Sequence, residues 1–183
     1  MSSGQKNNAK EQRVQELKEY YRLEQHPEGG WFAECYTSEG TFAREPVTGQ
    51  EQAAVPARAF SGSIYFLLDK GDISHFHRID CEEVWYFHEG CGLKITTIDE
   101  AGNIEAIHLG SDISKGESVM AVIPKGVIFA SQTLDPEGYC FVSCMTTPKF
   151  SYDGFKLISR EELKELCPDA PEDVLALAYK MDC

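Results

Sequence analysis

Two histidines and a glutamate stand close together near the middle of the chain, within the stretch Gly71–Gly90. His75 and His77 are two positions apart, so on a β-strand their side chains would share one face. Glu83 begins the next apolar run, after a turn through Ile79–Cys81. If that turn brings the two strands together, two imidazoles and one carboxylate form a facial triad suited to Fe(II), Mn(II), Ni(II) or Zn(II).

The same histidines could also act without a metal. Imidazole titrates near neutral pH, so His75 or His77 could abstract a proton next to a carbonyl group. A tyrosine such as Tyr65 could return a proton on the other face, which is epimerase or isomerase chemistry. The candidate catalytic residues are therefore His75, His77 and Tyr65, and the candidate metal ligands are His75, His77 and Glu83.

Aromatic residues near this stretch could surround a small ligand. By strand alternation Glu83 shares a face with Trp85, which is the expected inward side. Aromatic rings with a few polar groups suit a planar or sugar-like ligand, although the same rings could simply pack in a core. Arg78 could reach a phosphate or carboxylate, or pair with Asp80. The candidate pocket residues are Tyr65, Arg78, Trp85 and Phe129.

These residues lie in a long β region. From about Trp31 to Thr147, short runs of aromatic and β-branched residues alternate with turn clusters, which is typical of an antiparallel sandwich or barrel. Val14, Leu17 and Tyr21 recur at helical spacing before this region. We therefore predict an all-β domain over residues 12–183, with a β body at 31–147, a helical tail at 159–181 and short terminal helices packed outside. We expect residues 1–11 to be disordered.

The composition excludes several classes of partner. The 183 residues carry 17 Lys and Arg against 30 Asp and Glu, a net charge of −13, which disfavours nucleic acid and anionic membranes. Apolar runs are too short to cross a membrane. The seven cysteines are scattered without a Cys-x-x-Cys pair, so we expect reduced thiols and a cytoplasmic location.

The spacing of two segments resembles a known pair of motifs. The first motif of the cupin superfamily has His-x-His, then Glu, then Gly after six residues. His75, His77, Glu83 and Gly90 follow it with one extra residue before the glutamate. The second motif ends in Pro-x-Gly and a histidine, and here Phe129 stands at the histidine position after Gly116, Pro124 and Gly126.

Other segments resemble a small branch of uncharacterised single-domain cupins, the type-five or domain-of-unknown-function cupins. They are His26–Phe32, Ser63–Leu68, Ser74–Arg78, Glu82–Trp85 and Pro148–Phe150 with Phe155. The resemblance covers roughly residues 12–160. It implies an RmlC-like jelly roll, usually a homodimer, with a small molecule as its ligand.

The resemblance leaves three functions open. The first is an epimerase or isomerase, metal-free or metal-assisted, that acts on a sugar-like or carbonyl metabolite. The second is a metal-dependent oxygenase, which could use Fe, Mn, Ni or Zn; Phe129 removes one imidazole from such a site. The third is a non-catalytic ligand-binding or sensor module. All three functions occur on folds of this kind, so only the chemistry of the site can distinguish between them.

Overall fold

Two antiparallel sheets face each other in the computed structural model, which describes residues 3–42 and 57–180. The helices and strands, in chain order, are α1 (Ser3–Tyr21), β1 (Glu24–Gln25), β2 (Trp31–Thr37), β3 (Thr41–Phe42), β4 (Arg58–Ala59), β5 (Gly62–Leu68), β6 (Ile73–Arg78), β7 (Glu82–Gly90), β8 (Leu93–Ile98), β9 (Ile104–Leu109), β10 (Met120–Ile123), β11 (Ile128–Thr133), β12 (Cys140–Thr147), β13 (Lys156–Leu157), α2 (Arg160–Leu166) and α3 (Glu172–Leu175).

The strands divide between two layers. Over the described residues, the first sheet has the order β1-β2-β5-β12-β7-β10 and the second has the order β13-β6-β11-β8-β9, while β3 pairs with β4 separately. The main core lies between the layers and includes Phe66, Trp85, Ile95 and Phe129. The predicted all-β jelly-roll sandwich is confirmed.

Strand alternation separates this core from the outer faces. On β5, Phe66 and Leu68 point into the main core, whereas Tyr65 and Leu67 belong to a cluster on the outer face. Helix α1 covers that outer face because Val14 and Leu17 pack against Leu67. Successive residues of β5 thus alternate between the main core and the outer face, as expected for a β-strand.

Helix α1 differs from the sequence prediction at its beginning. It starts at Ser3, inside the segment 1–11 that we expected to be disordered. Neither α1 nor any other helix in ranges 3–42 and 57–180 is long and apolar enough to cross a membrane. The cytoplasmic location stays a prediction.

The C-terminal helices cover the outer face of the second sheet. Ser159 caps α2 and forms the predicted capping box with Glu162. Leu163 of α2 and Val174 of α3 pack in one cluster with Phe76 of β6. The prediction that terminal helices pack outside the β body is therefore confirmed.

The edge strand β10 of the first sheet exposes apolar side chains. Its Met120 and Val122 are about half exposed. An exposed sheet edge can pair with another chain. The homodimer implied by the family resemblance stays a prediction.

The packing of α2 on the second sheet predicts the effect of one substitution. Leu163 is fully buried, so Leu163→Ala should lower the free energy of unfolding by about 3 kcal/mol and the melting temperature by roughly 10 °C. Lys164→Ala is the control, because Lys164 lies on the same helix and is exposed. Thermal unfolding of both variants measures the difference; equal melting temperatures would contradict this packing.

Candidate functional site

A cavity of about 500 Å³ opens on the inner side of the first sheet. Strands β2, β5, β7 and β12 form its wall, and the segment 149–152 and His77 of β6 complete it. Its titratable lining residues are Glu24, His26, Glu28, Glu34, His77, Glu83, Cys144, Lys149 and Tyr152. The volume suits a small metabolite.

Glu28 enters this cavity from a tight turn before β2. The Gly29 N–H donates to the His26 carbonyl at 2.9 Å, and the Glu28 carbonyl accepts from the His75 N–H at 2.8 Å. Gly29 has φ +106°, and a side chain there would meet the Ile73 carbonyl oxygen at 2.0 Å. Glycine is therefore required for this turn to approach β6, which buries Glu28 to 7% exposure.

A β-bulge on β6 decides which side chains face Glu28. Phe129 of β11 pairs with His77 and Ser131 pairs with Ser74, so two residues of β6 lie opposite one residue of β11. The bulge places Ser74 and His77 on the side of Glu28. It turns His75 away, where its Nδ1 donates to the Leu177 carbonyl at 3.2 Å.

His77 and Glu28 form a buried pair, which we call the His77–Glu28 couple. The His77 Nδ1 donates to the His75 carbonyl at 2.7 Å, because a carbonyl can only accept. A neutral His77 therefore presents the lone pair of Nε2 to the Glu28 Oε2, 3.2 Å away. Burial lowers the pKa of His77 to about 4 and keeps the ring neutral. A proton placed between these two atoms would be bound by both.

Two further groups surround the Glu28 carboxyl. The Ser74 hydroxyl donates to Oε1 at 2.8 Å. The His26 Nδ1 lies 3.4 Å from Oε2 and accepts the Glu28 backbone N–H, so it too bears a lone pair. Burial raises the pKa of Glu28, and the neighbouring histidines and Ser74 oppose that rise in part. The carboxyl therefore has a high affinity for a proton.

Glu83 provides a second buried carboxyl in the same cavity. It lies on β7, is 8% exposed and faces inward with Trp85, as alternation predicted. Burial and then the negative charge of Glu28 raise the pKa of Glu83 to about 8. The side chains of Trp85 and Cys144 favour the charged form of Glu83, but they lower its pKa by less than burial and Glu28 raise it. Glu83 is therefore protonated at neutral pH.

The indole of Trp85 adds a polar group to this wall. Trp85 is 1% exposed, and its Nε1 has no hydrogen-bond partner of standard geometry. Buried N–H groups are nearly always paired, so this donor is suited to an acceptor oxygen, and the Glu83 carboxyl lies close enough for the indole to favour its charged form.

The structure brings three predicted site residues together, His77, Glu83 and Trp85. It places the other four elsewhere. His75 faces the C-terminal tail because of the bulge, and Tyr65 lies on the outer face of β5 among Tyr21 and Phe141. These two placements correct the predicted catalytic set.

Arg78 and Phe129, which we predicted as pocket residues, also do not line the cavity. Arg78 is exposed at the end of β6, where its backbone pairs with Lys156 of β13. The expected partner Asp80 instead accepts from Arg58 at 2.7 Å. Phe129 is fully buried in the core behind the cavity, with its ring centroid 4.1 Å from that of His77.

The sequence reasoning missed Glu28 and His26, although a signal was present. Both lie in the segment His26–Phe32, which we used only to support the family resemblance. Lys149 lies likewise in the segment Pro148–Phe150. Residues far apart in sequence meet here, so spacing alone could not join them.

The donors do not fit the predicted metal centre. Within residues 3–42 and 57–180, no three His, Cys, Asp or Glu side chains are arranged to hold a metal ion. His75 bonds to the C-terminal tail, and Phe129 occupies the position of a fourth ligand. The triad of His75, His77 and Glu83 is therefore not formed.

Comparison with known proteins gives consistent matches over the whole fold. The family model described as "Cupin superfamily (DUF985)" matches residues 15–158. Uncharacterized protein YML079W of Saccharomyces cerevisiae is 30% identical over 173 residues, which cover 91% of this chain and 85% of that protein. The crystal structure of SO0799 from Shewanella oneidensis is 36% identical, with a TM-score of 0.79 over 92% of this chain and 98% of that one. A hypothetical protein from Leishmania major is 27% identical, with a TM-score of 0.78 over 91% and 99%.

The buried carboxyl of Glu83 predicts a pH-dependent stability. An unfolded glutamate ionises near pH 4.5, whereas folded Glu83 ionises near pH 8. As pH rises between these values, the unfolded state loses its proton first, so the free energy of unfolding falls. Glu83→Gln cannot ionise, and at pH 9 we expect it to exceed the natural protein by on the order of 3 kcal/mol.

Denaturant unfolding at pH 5 and pH 9 measures this difference. The advantage of Glu83→Gln should shrink or vanish at pH 5, where Glu83 is protonated in the folded protein. Glu82→Gln changes the exposed neighbouring residue and should show no such pH dependence. A difference that is constant with pH would mean that Glu83 is not buried as described.

Proposed function

Since the chain belongs to the Cupin superfamily (DUF985) family, as its motifs predicted, we propose that it is a small-molecule enzyme that transfers protons. The reaction is of the epimerase or isomerase type on a sugar-like or carbonyl metabolite. The observation that carries this proposal is the presence of two separate proton-binding centres in one buried cavity. They are the His77–Glu28 couple and Glu83.

The cavity has the properties of a small-metabolite site. Its volume of about 500 Å³ lies within the usual range for ligand pockets. The rings of Phe32, Phe66 and Trp85 form apolar walls, while the carboxyl and imidazole groups converge on one part of the lining. Groups with shifted pKa values inside a cleft are candidates for catalysis.

The His77–Glu28 couple is suited to the role of general base. Without a shared proton, the lone pairs of Nε2 and Oε2 face each other at 3.2 Å. Taking a proton replaces this repulsion by a hydrogen bond. The couple could therefore accept the proton of a C–H bond next to a carbonyl, and the electron pair of that bond would move toward the carbonyl to give an enol.

Glu83 is suited to the role of general acid. It holds a proton below about pH 8, and it has no Lys or Arg partner among the described residues. Its proton would pass to the carbonyl oxygen as the enol forms. In the second half of the reaction Glu83 takes that proton back and the couple returns one to carbon. Both centres then regain their starting protonation, as a reversible isomerisation requires.

Residues outside the cavity keep the couple in position. The bulge on β6 aims His77 at Glu28, and Ser74 holds the second oxygen of that carboxyl. Because both partners are packed and bonded on their outer sides, little reorganisation accompanies the proton transfer. No step in this scheme passes through a metal ion, because the donors present do not fit one.

Exchange of a carbon-bound proton with solvent deuterium tests the proposal without knowledge of the natural substrate. We expect loss of the α-proton NMR signal from at least one of hydroxyacetone, dihydroxyacetone, fructose or glucose in D2O. Glu83→Gln should slow this exchange by about 10²–10⁴-fold, because the amide cannot donate a proton to the carbonyl oxygen. For the natural protein, the rate should fall about tenfold per pH unit above about pH 8, as Glu83 loses its proton.

Glu82→Gln is the matched control and should keep both the rate and the pH profile. His75→Ala should retain most of the exchange, because His75 lies outside the cavity and the Phe76 N–H still bonds to the Leu177 carbonyl, whereas His77→Gln should lose it. If a compound of the panel binds but exchanges no faster than in buffer, the cavity is a non-catalytic binding site. Full activity of both His77→Gln and Glu83→Gln would contradict the assigned residues.

A further inference from the structure

The cavity has an excess of negative groups. Among the described lining residues there are four glutamates and one lysine, Lys149. Glu83 is protonated at neutral pH, so Glu24, Glu28 and Glu34 are the groups that can carry negative charge there. Lys149 is already engaged, since its Nζ lies 2.7 Å from Glu34 Oε2 and donates to Thr37 Oγ1 at 2.7 Å. No other Lys or Arg of the described chain lines the cavity. An anionic ligand would therefore meet uncompensated carboxylates.

The mouth of the cavity combines one of these carboxylates with aromatic rings. We define the mouth by Glu24, Phe150 and Tyr152. Tyr152 is 54% exposed, and its ring lies 5.0 Å from that of Phe150 and stacks with His26 at 6.2 Å. After burial, the charges of Glu28 and Glu24 raise the pKa of Tyr152, so both carboxylates act on this ring. Aromatic faces beside a carboxylate are suited to an organic cation.

The interior of the cavity requires a different group. The Trp85 Nε1 lies near the Glu83 carboxyl without a hydrogen bond of standard geometry, and the protonated Glu83 is itself a donor, so the inner end of the ligand should carry an oxygen. Glu83, two residues before Trp85 on the same face of β7, holds the proton that the proposed reaction delivers to a carbonyl oxygen. The ligand therefore has an oxygen at its inner end and faces a carboxylate and aromatic rings at its outer end.

We propose that the substrate is a small hydroxylated carbonyl compound that carries a protonated amine. Its oxygen atoms lie at Trp85 and Glu83, and its ammonium group lies at the mouth beside Glu24 and Tyr152. This inference rests on the proposed function, because it names the class of substrate for the same cavity. An amino sugar or a hydroxylated aminoketone is a compound of this class.

Three acyclic polyols of one size isolate the effect of charge. Glucamine (1-amino-1-deoxysorbitol) is a cation at pH 7.5, sorbitol is neutral and gluconate is an anion. None of them has a carbonyl group, so none is turned over by the proposed chemistry. We expect calorimetry to show that glucamine binds about tenfold more tightly than sorbitol, and that gluconate binds more weakly than both.

Two substitutions at the mouth locate the ammonium group. Glu24→Gln and Tyr152→Leu should each reduce the preference for glucamine over sorbitol several-fold, with little change in sorbitol binding. Neither residue is part of the proton-transfer scheme. Glu105→Gln is the control, because Glu105 is an exposed residue of β9 that does not line the cavity. It removes the same charge and should leave the preference unchanged.

The substitution Trp85→Phe tests whether the inner end of the ligand carries an oxygen that accepts from the indole N–H. It removes the N–H and keeps an aromatic ring, so it should weaken glucamine and sorbitol by a similar factor and preserve the ratio between them. Melting temperature checks that the variant is folded. Addition of salt should weaken glucamine binding more than sorbitol binding, because the mouth is exposed.

The outcomes separate this inference from the proposed function. Equal affinities for glucamine and sorbitol, or tighter binding of gluconate, would overturn the cationic substrate and leave the proton-transfer proposal standing. An unchanged preference in both mouth variants would also overturn it. If none of the three polyols binds, the cationic substrate is overturned, and so is the assignment of a polyol-like compound as the substrate. The deuterium exchange of carbonyl compounds then still tests the proposed proton transfer.

Discussion

The carboxyl of Glu28 is held between the two sheets without a Lys or Arg partner among the described residues, and most of the site depends on how this is achieved. Burying a carboxyl is costly unless its oxygens are satisfied. Here Ser74 donates to one oxygen, and two imidazoles lie within 3.4 Å of the other. The turn that presents Glu28 is possible only with glycine at position 29. The turn, the two histidines and the serine are therefore one interdependent unit.

The C-terminal tail contributes to this unit from the opposite side of the second sheet. The Leu177 carbonyl accepts from the backbone N–H of Phe76 at 3.0 Å and from the His75 ring at 3.2 Å. Both donors lie in the bulge of β6, so the packed tail stabilises the strand shape that aims His77 inward. The helices at the end of the chain therefore position the site, although they lie outside the β body.

Sequence periodicity could predict the strands, the inward face of Glu83 and Trp85, and the outer helices, because these follow from local alternation of residue types. It could not predict the bulge, because His75 and His77 keep the same spacing in a regular strand and in a bulged one.

Tyr65 was misplaced for a related reason. Alternation on β5 is clear, but the sequence does not show which face of a strand with apolar residues on both faces lies inward. Glu28 was missed because two of its partners, Ser74 and His77, are about fifty residues away in the chain.

The bulge also determines which groups of the cupin-like motif meet in the cavity of this chain. In a regular strand His75 and His77 would both face the cavity and could share a divalent cation with Glu83. With the bulge, Ser74 replaces His75 on the inner side, Phe129 fills the position of a further imidazole, and the Glu28 carboxyl meets His77 directly. The imidazole and the carboxylate can then bind a proton between them, as the proposed reaction requires of its base. Burial makes that proton affinity high for both carboxyls, since the ionised form of each is poorly solvated. Two centres that differ in their surroundings can hold different numbers of protons at one pH, which is the condition for one to give a proton while the other takes one.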